Sequence, residues 1–145
     1  MEDPFDLARF IDAQAGVYDA ALAELRSGRK QGHWIWFVFP QIAGLGVSAM
    51  NRRYAIASLE EAVAYLEHPL LGARLRTCVD AINALEDRSA RQIFGGDDVK
   101  VRSSLTLFHR AAPDEARFSR ALDKYFAGEP DTLTLERLAA TFGGP

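Results

Sequence analysis

The chain of 145 residues has few cysteines and histidines, the residues that link a small domain through a disulfide or a bound metal. Cys78 is its one cysteine, so an internal disulfide and a cysteine-rich metal cluster are both excluded. The three histidines, His33, His68 and His109, lie far apart, and none has a second histidine or cysteine three or four residues away. We therefore expect no metal and no cofactor, and a protein suited to a reducing cytoplasm.

The sequence also lacks a long hydrophobic run and an excess of one charge. Its longest strongly apolar run, Trp34 to Phe39, is far shorter than the roughly 20 residues that cross a bilayer. The first residues, Met1 to Pro4, have no apolar segment of the kind found in a secretory signal. Acidic residues number 20 and basic ones 17, and this balance argues against a nucleic-acid partner. We expect a cytoplasmic protein with no membrane partner, and the oligomeric state stays open.

Apolar residues, by contrast, are plentiful enough for one domain over residues 1–145. They make up 48% of the chain, and a chain of this length buries roughly two-thirds of its surface. Between the glycines and prolines, almost every segment repeats apolar side chains at helical spacing, and none alternates with period two. One long helix, which begins at Asp3-Pro4 and carries its apolar residues from Leu7 to Leu25, is predicted to end at Gly28. The predicted fold class is all-α, a single multihelical domain with short connections and a buried aromatic segment at its centre.

Several predicted helices begin at residues whose side chains can accept a hydrogen bond from a free backbone amide. Ser58 and Glu61 have the spacing of a capping box. Ser48 and Ser89 stand where they can cap two short helices, and Asp97 or Asp98 can cap a longer one. These caps divide the chain into its predicted helices.

Both tryptophans lie in one segment whose composition is not readily explained by a purely structural role. Trp34 to Phe39 is rich in large apolar residues and fits either a buried strand or a buried helical turn, which its periodicity does not decide. His33 and Gln41 flank it and offer polar groups beside the aromatic rings, followed by a glycine-rich turn to Ser48. The alternative is a hydrophobic core segment of which only the polar edge is functional.

A second such segment runs from Ile93 to Thr106. Its glycine pair leads into a helix that carries Lys100, Ser103 and Ser104, where free amides could receive an anion. The alternative is that the carboxylates of Asp97 and Asp98 already satisfy those amides, unless Asp97 is itself a functional carboxylate.

Two further features are interpreted as structural. The cations Arg26, Arg29 and Lys30 are expected to form a solvated surface at a helix end. Cys78 lies on an apolar helix face, where a thiol behaves as a small buried hydrophobic group.

The same segments resemble an uncharacterised bacterial family, domain of unknown function 1810, whose members are often mislabelled calpastatin. The similar segments cover most of residues 5–135 and comprise 33–41 (HWIWFVFPQ), 44–46 (GLG), 54–56 (YAI), 61–62 (EA), 65–66 (YL), 68–72 (HPLLG), 93–95 (IFG) and 97–108 (DDVKVRSSLTLF). The resemblance implies a multihelical fold in which the tryptophan segment is a buried helix. It brings no established activity.

The first functional hypothesis is a pocket between residues 33–48 and 97–104 that binds a small polar or nucleotide-like ligand. The candidate ligand-binding and catalytic residues are His33, Trp36, Gln41, Ser48, Asp97, Lys100, Ser103 and Ser104. If the pocket is catalytic, Asp97 or His33 acts as the base and Lys100 stabilises charge. The reaction is then hydrolysis of an N-glycosidic or phosphoester bond of a nucleotide-like substrate.

The second hypothesis is a non-enzymatic helical module that binds a protein or a second copy of itself. It rests on the many aromatic residues and the lack of a complete catalytic constellation. It requires Trp34 and Trp36 to be partly exposed. The sequence alone does not decide between an enzyme and a binding protein.

Overall fold

The structure, a computed structural model, describes residues 3–142. Short connections join its α-helices, which are α1 (Ala8–Gln14), α2 (Tyr18–Ser27), α3 (Ile35–Val38), α4 (Ala49–Tyr54), α5 (Leu59–Glu67), α6 (Leu71–Ala84), α7 (Ala90–Phe94), α8 (Asp98–Ala111), α9 (Ala116–Phe126) and α10 (Thr132–Phe142). A 3-10 turn, Gly95–Asp97, leads from α7 directly into α8. Residues 3–142 contain no strand, so the predicted all-α class is confirmed.

Helix α8 is the central element of the core. It packs against α5 and α9 along most of its length and also contacts α7 and α10, while α6 closes the group by packing on α5 and α9. Most residues of its middle turns are buried, including Val101, Leu105 and Phe108. A helix that is buried on several sides in this way holds the elements around it in place. Its first turn remains at the surface, where the second predicted segment lies.

The tryptophan segment is a buried helical turn, as the family resemblance implies, and not a strand. Trp34 precedes α3 and is almost fully buried, and Phe39 follows α3 in the core. The Phe39 ring meets the ring of Phe94 edge to face, with centroids 5.8 Å apart. This contact ties the segment to the end of α7 and so brings the two predicted site segments towards each other.

The prediction of one long helix from Asp3-Pro4 to Gly28 is wrong, because two helices occupy this stretch and the first of them, α1, begins only at Ala8. Gly16 lies between them with φ of 76°, in the left-handed region that favours glycine. Apolar spacing continues across the break because α1 and α2 both turn an apolar side to the core. Gly28 ends α2 with φ of 82°, as predicted.

The serine caps are confirmed. The hydroxyls of Ser48, Ser58 and Ser89 each accept a hydrogen bond of 3.1 Å from the amide three residues further on. The capping box predicted at Ser58 is incomplete, because Glu61 bonds the amide of Ala57 instead. No helix within residues 3–142 is both long and apolar enough to cross a membrane.

Candidate functional site

A surface cleft of about 510 Å³ opens where the loop after α3 meets the first turns of α8 and α10. Its volume falls within the range typical of small-molecule sites. The cleft is lined by Trp36, Gln41, Leu45, Gly46, Val47, Ser48, Asn51, Val99, Lys100, Ser103, Asp131 and Leu133. Both predicted segments therefore contribute to its walls, the first through Trp36, Gln41 and Ser48 and the second through Lys100 and Ser103.

Gln41 is held in the cleft wall by its backbone. Its carbonyl accepts a hydrogen bond of 2.7 Å from the amide of Ile56, and the amide of Ala43 donates to the carbonyl of Ile56 at 2.8 Å. These two bonds form the isolated parallel bridge between Ile42 and Ile56. The loop around Gln41 is thus fixed although it belongs to no helix.

Gln41 is 8% exposed, and its side chain forms no hydrogen bond to any residue within 3–140. An amide carries two donors and an acceptor, and buried polar groups in proteins are nearly always paired. Because Gln41 lines the cleft, its free amide is available to a molecule that enters there.

The two tryptophans have different roles. The indole N–H of Trp34 donates to Glu24 at 3.0 Å, and that carboxylate also accepts from the amides of Gln31 and Gly32. Trp36 is half-buried on the cleft wall, and no acceptor within the described residues bonds its indole N–H. Trp34 therefore holds the loop before α3, while Trp36 lines the cleft with an indole whose N–H bonds none of the described residues.

A row of three charges runs from the loop after α2 to the cleft. The carboxylate of Asp97 pairs with Lys30 at 2.9 Å and with Lys100 at 3.1 Å. The Lys30 side chain is only 9% exposed and lies over the Trp34 ring, 5.3 Å from its centroid. The interpretation of Lys30 as a solvated cation is therefore wrong, since the fold buries it between a carboxylate and an indole.

The same lysines determine the charge state of Asp97. Partial burial acts to raise the pKa of this carboxyl, but hydrogen bonds and ion pairs with Lys30 and Lys100 outweigh it and hold the pKa below its usual value. Asp97 occupies the N-cap position of α8 without bonding a backbone amide there, whereas Asp98 accepts from the amide of Val99. The alternative in which Asp97 satisfies helix amides is thus wrong.

With this geometry in view, comparison with known proteins identifies the family. The sequence pattern of the family described as "Protein of unknown function (DUF1810)" matches residues 4–138. The chain belongs to this family. No curated protein matches it.

A solved structure is similar to this DUF1810 chain. It is the crystal structure of the conserved hypothetical protein Rv1873 from Mycobacterium tuberculosis at 1.38 Å, with 54% sequence identity and a TM-score of 0.93. The similarity covers 94% of this chain and 99% of that one. Family and fold are therefore those that the sequence resemblance implied, and neither name states an activity.

Three of the predicted site residues of this DUF1810 protein do not line the cleft. His33 is exposed and lies outside it, and Asp97 stands beside it, joined to it through Lys100. Ser104 is buried within α8, and its hydroxyl finds no partner among the described residues. Ser103, one position earlier, does line the cleft and donates to the carbonyl of Val99 at 3.1 Å.

Sequence reasoning missed three cleft residues, Asn51, Asp131 and Leu133. Asn51 lies on α4 so close to the loop that a Cβ at Gly46 would come within 2.6 Å of its Nδ2 atom. Asp131 caps α10 by accepting from the amide and hydroxyl of Thr134. No local signal shows that the start of α10 returns to α8, because that contact is made only in the folded chain.

Proposed function

We propose that this protein binds a small polar, nucleotide-like molecule in the cleft between residues 33–48 and 97–104. The observation that carries the proposal is Gln41, a residue that is 8% exposed and lines the cleft, and whose side-chain amide has no protein hydrogen-bond partner within residues 3–140 and stays open to solvent. An amide that is open to the cleft and bonds no protein group is free to exchange its water for a ligand. A ligand that bonds the amide gives the cleft a reason to retain a glutamine.

Trp36 supports the same proposal from the neighbouring position. Its ring offers a flat apolar surface, and its unpaired indole N–H offers one donor. A ligand with a ring and polar groups on its edge satisfies both features, whereas a purely apolar ligand leaves the Gln41 amide unpaired. The wall formed by α8 adds the hydroxyl of Ser103 and the side chain of Lys100, whose ammonium is paired with Asp97.

The proposal is limited to binding because the candidate bases are poorly placed for hydrolysis. His33 lies outside the cleft, and Asp97 is an ionised carboxylate whose two lysine partners lower its pKa and so weaken it as a proton acceptor. An interaction module built on two exposed indoles has less support, since Trp34 is buried and bonded to Glu24.

A thermal-shift panel tests the proposal. The panel contains nucleobases, nucleosides, nucleotides, sugar phosphates and amino acids, each added to the wild-type protein. A ligand present at 100 times its Kd stabilises the folded state by about 2.7 kcal/mol. For a chain of this length, that corresponds to a rise in Tm of roughly 5–11 °C.

Two variants locate the effect. Gln41→Leu removes the amide at nearly constant volume and is expected to abolish the shift. Gln31→Leu makes the same chemical change on an exposed side chain outside the cleft and is expected to retain it. A panel in which no compound shifts Tm, or a compound that stabilises Gln41→Leu as much as the wild type, contradicts the proposal.

A further inference from the structure

We infer that the cleft takes an uncharged heteroaromatic ring, of which a nucleobase or nucleoside is the commonest biological form. The ring enters with its hydrogen-bonding edge first, and a phosphate carried by the ligand adds little to its affinity. This inference rests on the proposed function and specifies the class of ligand for the same cleft.

The first support is the position of the polar groups deep in the cleft. Gln41 and Ser103 are both buried, and Asn51 beside them is half-buried with a side-chain amide that bonds none of the residues 3–142. Each amide presents a donor and an acceptor side by side. The edge of a nucleobase presents the complementary pair, and glutamine and asparagine bond adenine in this two-point manner.

The second support is the apolar character of the cleft mouth. Val47, Val99 and Leu133 are 79%, 61% and 56% exposed, and all three line the cleft. They are three of the four large hydrophobic side chains that are exposed within residues 3–140, the fourth being Leu70. Single exposed apolar residues are ordinary, but a cluster of them around one opening marks a binding surface.

The buried polar groups of the cleft and the apolar side chains at its mouth together determine how the ligand is oriented. A ring whose edge reaches Gln41 leaves its faces to the apolar part of the lining, which comprises the indole of Trp36 and the aliphatic side chains at the mouth. Burial of those side chains is favourable by about 25 cal/mol for each Å² of apolar surface covered. Any substituent on the far edge of the ring, such as a sugar, then points towards solvent.

The third support is the charge balance of the walls. Lys100 is the one cation that lines the cleft within the described residues, and its ammonium is already paired with Asp97 at 3.1 Å. The carboxylate of Asp131 also lines the cleft and repels a second anion. The cleft therefore offers a phosphate no uncommitted positive charge.

Three helices begin at the cleft, but their first turns are already satisfied by the chain itself. Ser48 caps α4, and Asp131 caps α10. Helix α8 continues from the preceding 3-10 turn, in which the amide of Asp98 donates to the carbonyl of Gly95. These ends do not form an anion site, which leaves the ring edge as the group to be recognised.

Isothermal titration calorimetry on the wild-type protein tests the inference. The probes are adenosine, guanosine, cytidine and uridine, their 5′-monophosphates, and inorganic phosphate alone. We expect at least one nucleoside to bind, its monophosphate to have a Kd within threefold of it, and inorganic phosphate to give no heat of binding. Raising NaCl from 50 to 500 mM is expected to change the Kd of either form less than threefold.

The inference is overturned if a monophosphate binds more than tenfold tighter than its nucleoside, or if salt weakens its binding by more than tenfold. Such a result leaves the proposed function intact. If no nucleoside or nucleotide binds, the inference fails as well, and the proposed function then depends on the other classes in the thermal-shift panel.

A pair of variants ties the binding to the amides at the cleft floor. Asn51→Leu is expected to weaken nucleoside binding at least tenfold, and Gln31→Leu to leave it within twofold of the wild type. If Asn51→Leu does not fold, Asn51→Asp keeps the side-chain shape, removes the donor and is expected to weaken binding to the same extent. Unchanged binding in either Asn51 variant contradicts recognition through this amide.

Discussion

Two buried glutamines in this protein should respond in opposite directions to the same substitution. Gln14, on α1, is 2% exposed and fully bonded: its Nε2 donates to the carbonyl of Phe37 at 2.7 Å and to the hydroxyl of Tyr65 at 3.2 Å, and its Oε1 accepts from Arg74 at 3.2 Å. Gln41, in the cleft wall, is 8% exposed, has none of these bonds and keeps its amide open to the cleft. Replacing each by leucine therefore separates a structural amide from one kept for a ligand.

The expected magnitudes follow from the bonds. Gln14→Leu removes three hydrogen bonds worth about 1 kcal/mol each, so it should lower the free energy of unfolding by about 3 kcal/mol. Gln41→Leu removes an unpaired amide and adds apolar surface. Because that amide stays open to the cleft, we expect the lower end of the desolvation range, a gain of about 1 kcal/mol. In Tm these values correspond to a fall of roughly 6–12 °C and a rise of roughly 2–4 °C.

Urea unfolding followed by circular dichroism measures both changes without a ligand. The wild type and the two variants are compared at equal protein concentration, and the m-values must agree for the comparison to hold. If Gln41→Leu lowers the free energy of unfolding by more than about 1 kcal/mol, the Gln41 amide stabilises the free protein and the reasoning for a ligand site at this residue is refuted.

Three further predictions concern charge, capping and reactivity. Asp97→Asn should lower the free energy of unfolding by about 0.5–1 kcal/mol above about pH 5, as measured by urea titration. The difference from the wild type should vanish as the pH falls through the lowered pKa of the wild-type carboxyl. A difference that persists at pH 2 contradicts the ion-pair account. His68 accepts at Nδ1 from the amides of Leu70 and Leu71, at 3.1 and 3.3 Å. His68→Ala should therefore cost about 1 kcal/mol in urea unfolding and His68→Asn much less, and equal losses would rule out a cap. Burial raises the pKa of Cys78 to about 12. Ellman's reagent at pH 8 should therefore label this thiol only after the protein is unfolded in urea. Rapid labelling of the folded protein would contradict this prediction, because it would show that the thiol is accessible.

The features that the sequence predicts well are those decided by neighbouring residues. The caps at Ser48, Ser58 and Ser89 depend on an amide three residues away, and all three are present. The prediction of a site between two segments also drew on local chemistry, since Trp36, Gln41 and Lys100 stand beside glycine turns or helix ends. These three residues line one cleft, and their role in binding stays a prediction.

The features that the sequence does not predict depend on distant contacts. Lys30 reads as a surface cation because nothing nearby in the chain shows that Asp97 will cover it. Asp131 and Leu133 join the cleft only because α10 packs back on α8. The break at Gly16 was missed for a different reason, since apolar periodicity carried across a glycine that interrupts the helix.

The indole N–H signals of the two tryptophans test the central claim most directly. In a ¹⁵N-labelled sample, Trp36 reports on the cleft, and Trp34, bonded to Glu24 in the core, is an internal control in the same spectrum. On titration with the four nucleosides in turn, at least one should move the Trp36 signal in a saturable manner while the Trp34 signal stays in place. If Trp36 does not respond to any of them, or if Trp34 moves and Trp36 does not, the cleft is not the nucleoside site described here.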